Sequence, residues 1–284
     1  MSHPDPSNHD STIICPVCFH HCRLAKGQTG LCRTRRNQNG TAASTAYGRI
    51  TSIALDPIEK KPLYRFHPGQ PVLSVGSFGC NLSCPFCQNH EISQSEKVPY
   101  RYMEPEELVE LAVSLHRTHD NIGIAFTYNE PLLTYEYILE CGKLLDESGL
   151  DLVLVTNGTA EPEILKLLLP YVSAMNIDIK AFHEDAYRLL GGSLESVKRT
   201  VELACRSCHV ELTTLVVEGI NDDTTLFKKE VAWIASVDPS IPLHITRSFP
   251  RFRMTEISPT PFSLMQEMKG IAEEKLEHVF LGNI

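Results

Sequence analysis

Three thiols stand close together in the segment Gly76-Ser-Phe-Gly-Cys80-Asn-Leu-Ser-Cys84-Pro-Phe-Cys87, at the spacing C-x3-C-x2-C. Three thiolates on one loop can wrap a cube of iron and sulfide. A four-iron cluster normally takes four cysteines, so three would leave one iron open to a further ligand. Gly76 and Gly79 allow the backbone to approach such a cluster closely, and Phe86, beside Cys87, can shield it from water. A structural zinc loop is the competing reading. Zinc needs a fourth ligand, which His90 could supply.

A second group, Cys15-x2-Cys18-x3-Cys22-x9-Cys32, offers four soft ligands, with His20 and His21 as further candidates. That set can complete a tetrahedral zinc site or hold a second iron-sulfur cluster. Ordinary buried thiols are the plainer alternative. Clustering of this kind argues against a disulfide framework, because closely spaced thiols in a reducing compartment more often hold metal or do redox chemistry. Cys205 and Cys208 also have C-x2-C spacing, but they end an apolar helical pattern just before a strand and read as packing.

The elements that must position these thiols are legible from hydrophobic patterning. The chain has 284 residues, 42% hydrophobic and 21% charged, which excludes disordered, collagen-like and coiled-coil classes. Its formal net charge of −9 disfavours wholesale binding to nucleic acid or anionic membrane. No apolar run reaches the ~20 residues that span a bilayer, and the polar start MSHPDPSNHDST has no apolar signal core, so a cytoplasmic location is expected.

Residues 1–12 read as a disordered tail, and 13–70 as a cysteine-rich metal module with a hairpin near 41–55. Residues 71–284 read as the main α/β domain. Short apolar runs at 72–75, 122–126, 152–155, 175–179, 212–217, 243–245 and 279–281 read as strands. They alternate with helical patterns at 104–116, 132–147, 161–169, 194–205, 226–235 and 261–276. Such alternation implies parallel strands, in either a doubly wound sheet or a closed or partial barrel; both put chemistry at the carboxyl ends of strands.

Polar residues follow those runs: Thr127-Tyr-Asn129-Glu130-Pro131, Val155-Thr-Asn157-Gly158, Asn176-Ile-Asp178-Ile-Lys180 and Leu243-His244-Ile-Thr-Arg247. Together with the C-x3-C-x2-C loop, this series resembles the radical S-adenosylmethionine superfamily. Within it the chain is similar to pyruvate formate-lyase activating enzyme-like proteins, and specifically to the radical enzymes of the AmmeMemoRadiSam system. The stretch Asp56-Pro-Ile-Glu-Lys-Lys-Pro-Leu-Tyr-Arg-Phe-His-Pro-Gly69 and the early cysteines carry that narrower likeness.

The resemblance implies a partial (β/α)6-type TIM barrel with a small N-terminal cysteine-rich module. It also implies a 4Fe-4S cluster on Cys80, Cys84 and Cys87, and bound S-adenosylmethionine. Glu130, with Asn129 beside it, matches the position that accepts the methionyl amine, although a carboxylate there can also cap the following helix. Asn157, Asp178 and Lys180 match positions near the ribose and carboxylate, with a purely structural Asp178–Lys180 pair as the alternative. Thr214 and His244 match later positions less specifically, and a lone histidine is as often a satisfied core residue. The implied chemistry is transfer of one electron to the sulfonium, giving methionine and a 5'-deoxyadenosyl radical that abstracts hydrogen. A one-electron reductant such as flavodoxin or ferredoxin is the implied partner.

Two basic segments bear on the substrate: Lys60, Lys61, Tyr64, Arg65 and His67, and then Arg247, Arg251 and Arg253. If Lys61 and Arg247 meet at the barrel mouth, they suit a small anionic or modified substrate; solvated surface charge is the alternative. Activation of a glycyl-radical partner protein is the second functional reading. A non-catalytic iron-sulfur carrier or sensor is the third.

Overall fold

The computed structural model describes residues 12–284, so the first eleven positions of the expected tail lie outside the described residues. Eight strands form one sheet: β1 (Ser52–Pro57), β2 (Pro71–Gly76), β3 (Gly123–Phe126), β4 (Asp151–Thr156), β5 (Ala174–Asp178), β6 (His209–Val216), β7 (Leu243–Arg247) and β8 (Val279–Gly282). They lie side by side in chain order. β2 to β8 run parallel and β1 pairs antiparallel with β2. β1 and β8 do not pair with each other, so the sheet is an open partial barrel.

Among the described residues, beside the single turn His90–Ser93, seven helices lie between or after the strands: α1 (Pro105–His119), α2 (Tyr135–Ser148), α3 (Pro162–Leu168), α4 (Glu184–Leu189), α5 (Leu194–Ala204), α6 (Thr224–Val237) and α7 (Phe262–Glu273). α1 begins where Pro105 presets the helical φ, with Glu106 and Glu107 facing the positive end of its dipole. α2 stops at Gly149, whose φ of 67° turns its N–H back onto the last carbonyls. The short α4 has no counterpart among the helical patterns read from sequence.

Strand alternation decides between the two architectures left open by periodicity. Leu73, Ile124, Leu152, Met175, Leu212 and Leu243 share one buried core with Leu108, Ile138, Leu165, Tyr187, Val197, Phe227 and Met265, one residue from each helix. All seven helices therefore cover the same face, whereas a doubly wound sheet would divide them between two. Val72, Ala125, Val153 and Ala174 form a separate core with Ile58 and Leu63.

Those last two residues belong to a strap, residues 58–67, that crosses the concave face of the sheet. Asn176 Nδ2 donates to the Pro62 carbonyl at 2.8 Å. The Tyr64 and Arg65 N–H groups donate to the Glu211 carboxylate at 3.0 and 2.7 Å. The Tyr64 ring packs against His244 and Phe280, on β7 and β8. A connection between β1 and β2 thus reaches the far edge of the sheet and fills the space that ring closure would otherwise fill. The expected hairpin near 41–55 is replaced by a hairpin of Arg35–Gln38 with Thr41–Ser44, while Ser52–Pro57 joins the main sheet. No helix among the described residues is long and apolar enough to cross a membrane.

Candidate active site at the strand ends

Cys80, Cys84 and Cys87 follow β2 and wall a cavity of about 390 Å³ at the carboxyl ends of the parallel strands. Burial pushes the Cys84 thiol up to about 11 and the Cys80 thiol higher still. N–H groups nevertheless face Cys80 Sγ, from the Leu82 backbone at 3.4 Å and from the Asn157 amide at 3.6 Å. Phe86 is buried and forms part of the wall. Gly79 holds φ at 85°, and a Cβ there would stand 2.6 Å from the Cys32 carbonyl, so only glycine fits between the loop and the N-terminal module.

Asn129 latches the same loop from the next strand end. Its Oδ1 accepts the Ser77 N–H at 3.0 Å, and its Nδ2 donates to the Phe78 and Gly79 carbonyls at 3.1 and 3.2 Å. Glu130 is buried in the cavity wall. Its Oε1 accepts the Leu132 N–H at 3.1 Å and the Thr156 hydroxyl at 2.7 Å; its Oε2 accepts the Asn157 N–H at 2.8 Å. The Leu132 contact is the capping role weighed from sequence. Burial pushes the Glu130 carboxyl up to about 7 despite these three donors. A carboxylate has about four acceptor positions, so three contacts leave room on Oε2 for one more donor.

Asn157 lies on the cavity wall, and its amide joins Asn81 Oδ1 at 2.9 Å. Asp178 and Lys180 pair at 2.8 Å across the same wall. Burial works against the Lys180 charge, but Asp178 and the Cys84 thiol outweigh it and hold the ammonium above the usual lysine range.

Three residues singled out from sequence stand elsewhere. The Thr214 hydroxyl donates to the buried Glu230 on α6, outside the cavity. His244 Nε2 binds Glu211 Oε2 at 2.5 Å, and its ring borders a neighbouring chamber. Arg247 Nε donates to the Thr260 carbonyl at 2.8 Å, with its guanidinium over the Phe249 ring. Successive strand residues point to opposite faces. Thr213 and Thr246 therefore face the cavity while Thr214 and Arg247 do not. The two basic segments consequently do not meet in one site, and only the first contributes to it.

The neighbouring chamber, about 650 Å³, adjoins the first through Lys60, Pro62, Tyr128, Thr246 and Asn283, which line both. Asp56, a residue not singled out from sequence, organises its floor. Its carboxylate takes Lys60 Nζ and Lys61 Nζ at 3.0 Å each and the Tyr128 hydroxyl at 3.0 Å. Burial disfavours the Asp56 charge, but the two lysines hold its carboxyl well below the usual range. Lys61 is 2% exposed and lies over the Tyr128 ring. Tyr128 has φ 73°, a left-handed backbone that is uncommon outside glycine and turns its side chain between the two spaces. The signal for Tyr128 was present in Thr127-Tyr-Asn-Glu-Pro131; the signal for Asp56 was its place at the head of the strap sequence.

The early cysteines gather in the N-terminal module. Cys15 and Cys32 share a small core with Cys22 against it, and Cys18 is buried nearby. Among the described residues, no three His, Cys, Asp or Glu side chains already stand at the spacing of a single bound ion. That holds for this group and for Cys80, Cys84 and Cys87 alike.

Comparison with known proteins adds the following. Residues 74–227, more than half of the chain, match the family model of the radical SAM superfamily. The chain is 37% identical over 280 residues to the uncharacterized protein MJ0808 of Methanocaldococcus jannaschii, covering 97% of this chain and 82% of that one. It is 25% identical over 187 residues to 7-carboxy-7-deazaguanine synthase of the same organism, covering 60% and 73%. A solved structure of TYW1 with a lysine-pyruvate adduct bound shares the fold, with a TM-score of 0.52 at 20% identity over 72% of this chain and 74% of that one.

Proposed function

Because the chain belongs to the radical SAM superfamily, we propose that its strand-end cavity holds the family's 4Fe-4S cluster on Cys80, Cys84 and Cys87. S-adenosylmethionine then lies against Glu130, Asn157, Asp178 and Lys180. This superfamily uses that cluster and that cofactor, and its members are enzymes. When bound, the pair supplies reductive cleavage of S-adenosylmethionine to methionine and a 5'-deoxyadenosyl radical.

The residues fit both groups. Three thiols converge on one cavity with N–H donors directed at Cys80, which suits thiolates rather than neutral thiols. Glu130 Oε2 has a position left for an ammonium, and Lys180 presents a held positive charge for a carboxylate. Asp178 offers acceptor oxygens for a ribose diol. Asn129 serves the loop rather than the cofactor, because its amide is spent on Ser77, Phe78 and Gly79. An iron-sulfur carrier would have no use for such polar groups around an open iron.

One observation carries the substrate reading: the cofactor cavity adjoins a second chamber of about 650 Å³, a volume suited to a small molecule. Lys60 and Lys61 share the single carboxylate of Asp56, and Glu59 at the rim is engaged by the Gly69 N–H. Lys60 remains the accessible cation beside the cavity. The chamber therefore takes a small or modified substrate carrying an anionic group, from which hydrogen is abstracted.

Anaerobic reconstitution, reduction and addition of S-adenosylmethionine tests the enzyme reading by the 5'-deoxyadenosine formed. A yield no greater than that of a Cys80→Ala/Cys84→Ala/Cys87→Ala control would defeat it. Separating cell extract by size then tests the substrate. The small-molecule fraction should stimulate turnover in the wild type and much less in Lys60→Gln, whereas stimulation confined to the protein fraction would favour glycyl-radical activation.

A further inference from the structure

The N-terminal module, residues 13–44, has no helix and consists of two short hairpins around Cys15, Val17, Leu24, Cys32 and Ala42, which pack on Leu133 of the main domain. Two of those five residues are cysteines. A unit this small has too little apolar surface to hold one conformation on its own, and such units gain the deficit from docking on a larger domain or from a metal.

The module's turns gather its four thiols into one region, short of metal-binding spacing. The Cys15 N–H donates to the Cys22 carbonyl at 3.0 Å, which folds the two ends of the C-x2-C-x3-C run together. A turn begins at Gly30, where Cys22 Sγ lies 3.5 Å from the position a Cβ would occupy, two residues before Cys32. Cys32 Sγ also receives two hydrogen-bond donors. The Arg35 N–H and the Thr34 hydroxyl reach Cys32 Sγ at 3.4 and 3.3 Å. A neutral thiol is a weak acceptor, whereas a thiolate makes charge-assisted bonds. Two donors on the buried Cys32 sulfur are surroundings that suit a metal-bound thiolate.

The module also touches the cluster loop at successive residues. Cys32 O crowds Gly79, Arg33 Nη1 donates to the Cys80 carbonyl at 3.4 Å, and His20 Nε2 meets the Asn81 carbonyl at 2.9 Å. Asn81 Oδ1 accepts the Asn157 amide at 2.9 Å, and the same amide reaches Cys80 Sγ at 3.6 Å.

We propose that Cys15, Cys18, Cys22 and Cys32 form a tetrathiolate metal centre that braces Gly79–Asn81 and so fixes the loop bearing Cys80, Cys84 and Cys87. Binding draws the four sulfurs inward and releases their protons. Zinc and an iron-sulfur cluster share this ligand chemistry, and the test separates them. The proposal does not depend on the substrate reading.

The experiment is metal analysis of the full chain carrying Cys80→Ala, Cys84→Ala and Cys87→Ala, purified anaerobically and then offered zinc chloride, or iron with sulfide. About one zinc per chain, or iron with matching acid-labile sulfide, supports the centre and identifies it. Metal no higher than in a variant that also carries Cys22→Ser and Cys32→Ser overturns it. The brace is read separately, with the three loop cysteines intact. Cys22→Ser should shift the electron paramagnetic resonance of the reduced loop cluster or lower its occupancy at least several-fold. An unchanged spectrum and unchanged iron after loss of the N-terminal metal would overturn the bracing role.

Discussion

Glu130 Oε2 accepts the Asn157 backbone N–H at 2.8 Å, which ties the end of β3 to the end of β4 through a carboxylate on the cavity wall. The same side chain caps the turn at Pro131–Thr134. Glu130→Gln keeps its shape and removes its charge. S-adenosylmethionine should then bind ~10- to 100-fold more weakly, as expected for losing a charged hydrogen bond of about 1.5–3 kcal/mol, while iron content stays at the wild-type level. Equilibrium dialysis decides it, and equal affinity would leave Glu130 with the cap alone.

The protonation of Glu130 predicts a pH dependence. Without cofactor, burial holds its carboxyl near pH 7, so the carboxylate needed by an ammonium is present above that pH and lost below it. Affinity for S-adenosylmethionine should fall as pH drops from 8 to 6. In Glu130→Gln the dependence over that window should vanish.

Glu230 is buried on α6 with Thr214 as its partner, and burial pushes its carboxyl up to about 8 from an ordinary 4.5. The folded state therefore holds a proton that the unfolded chain has released. Its effect on stability is unfavourable as pH rises from 4.5 to 8 and levels off above that. Glu230→Gln should raise the melting temperature at pH 9 by several degrees, corresponding to a few kcal/mol, and change it little at pH 4.5. An equal shift at both pH values would show that packing, not charge, decides this site.

Glu211 shows the opposite sign. Burial opposes its charge, but His209, His244 and the N–H groups of Arg65 and Tyr64 outweigh burial and hold its carboxyl at about 2. Its stabilisation is present above the ordinary 4.5 and lost as pH falls towards 2. Glu211→Ala should cost about 3–5 kcal/mol by stranding these donors and should expose residues 58–67 to protease before the barrel unfolds. A strap that stays protected in denaturant titration with limited proteolysis would contradict the anchoring.

Removal of all three loop thiols should spare the fold, because stability resides in strands and helices rather than in the loops at the strand ends. Far-ultraviolet circular dichroism of the Cys80→Ala/Cys84→Ala/Cys87→Ala protein should match the wild type, with its loop cluster gone. Loss of helical signal would show that the loop is needed for folding.

Much of this molecule is readable in the chain itself. The spacing of Cys80, Cys84 and Cys87, and the polar residues closing each apolar run, depend on local order along the sequence. All seven parallel strands read from periodicity are present. Glu130, Asn157, Asp178 and Lys180 come together because parallel strands place their carboxyl ends at one side of a sheet. Tertiary structure alone decided which neighbour at a strand end points inward: Thr213 rather than Thr214, and Thr246 rather than Arg247. A shift of one residue reverses the face, and short apolar runs do not specify that register. Nor does local pattern show that residues 58–67 cross the concave face to Glu211, or that Cys32 backs Gly79. Those contacts join residues about 150 and 50 positions apart, and they exist only once the sheet has brought its edges together.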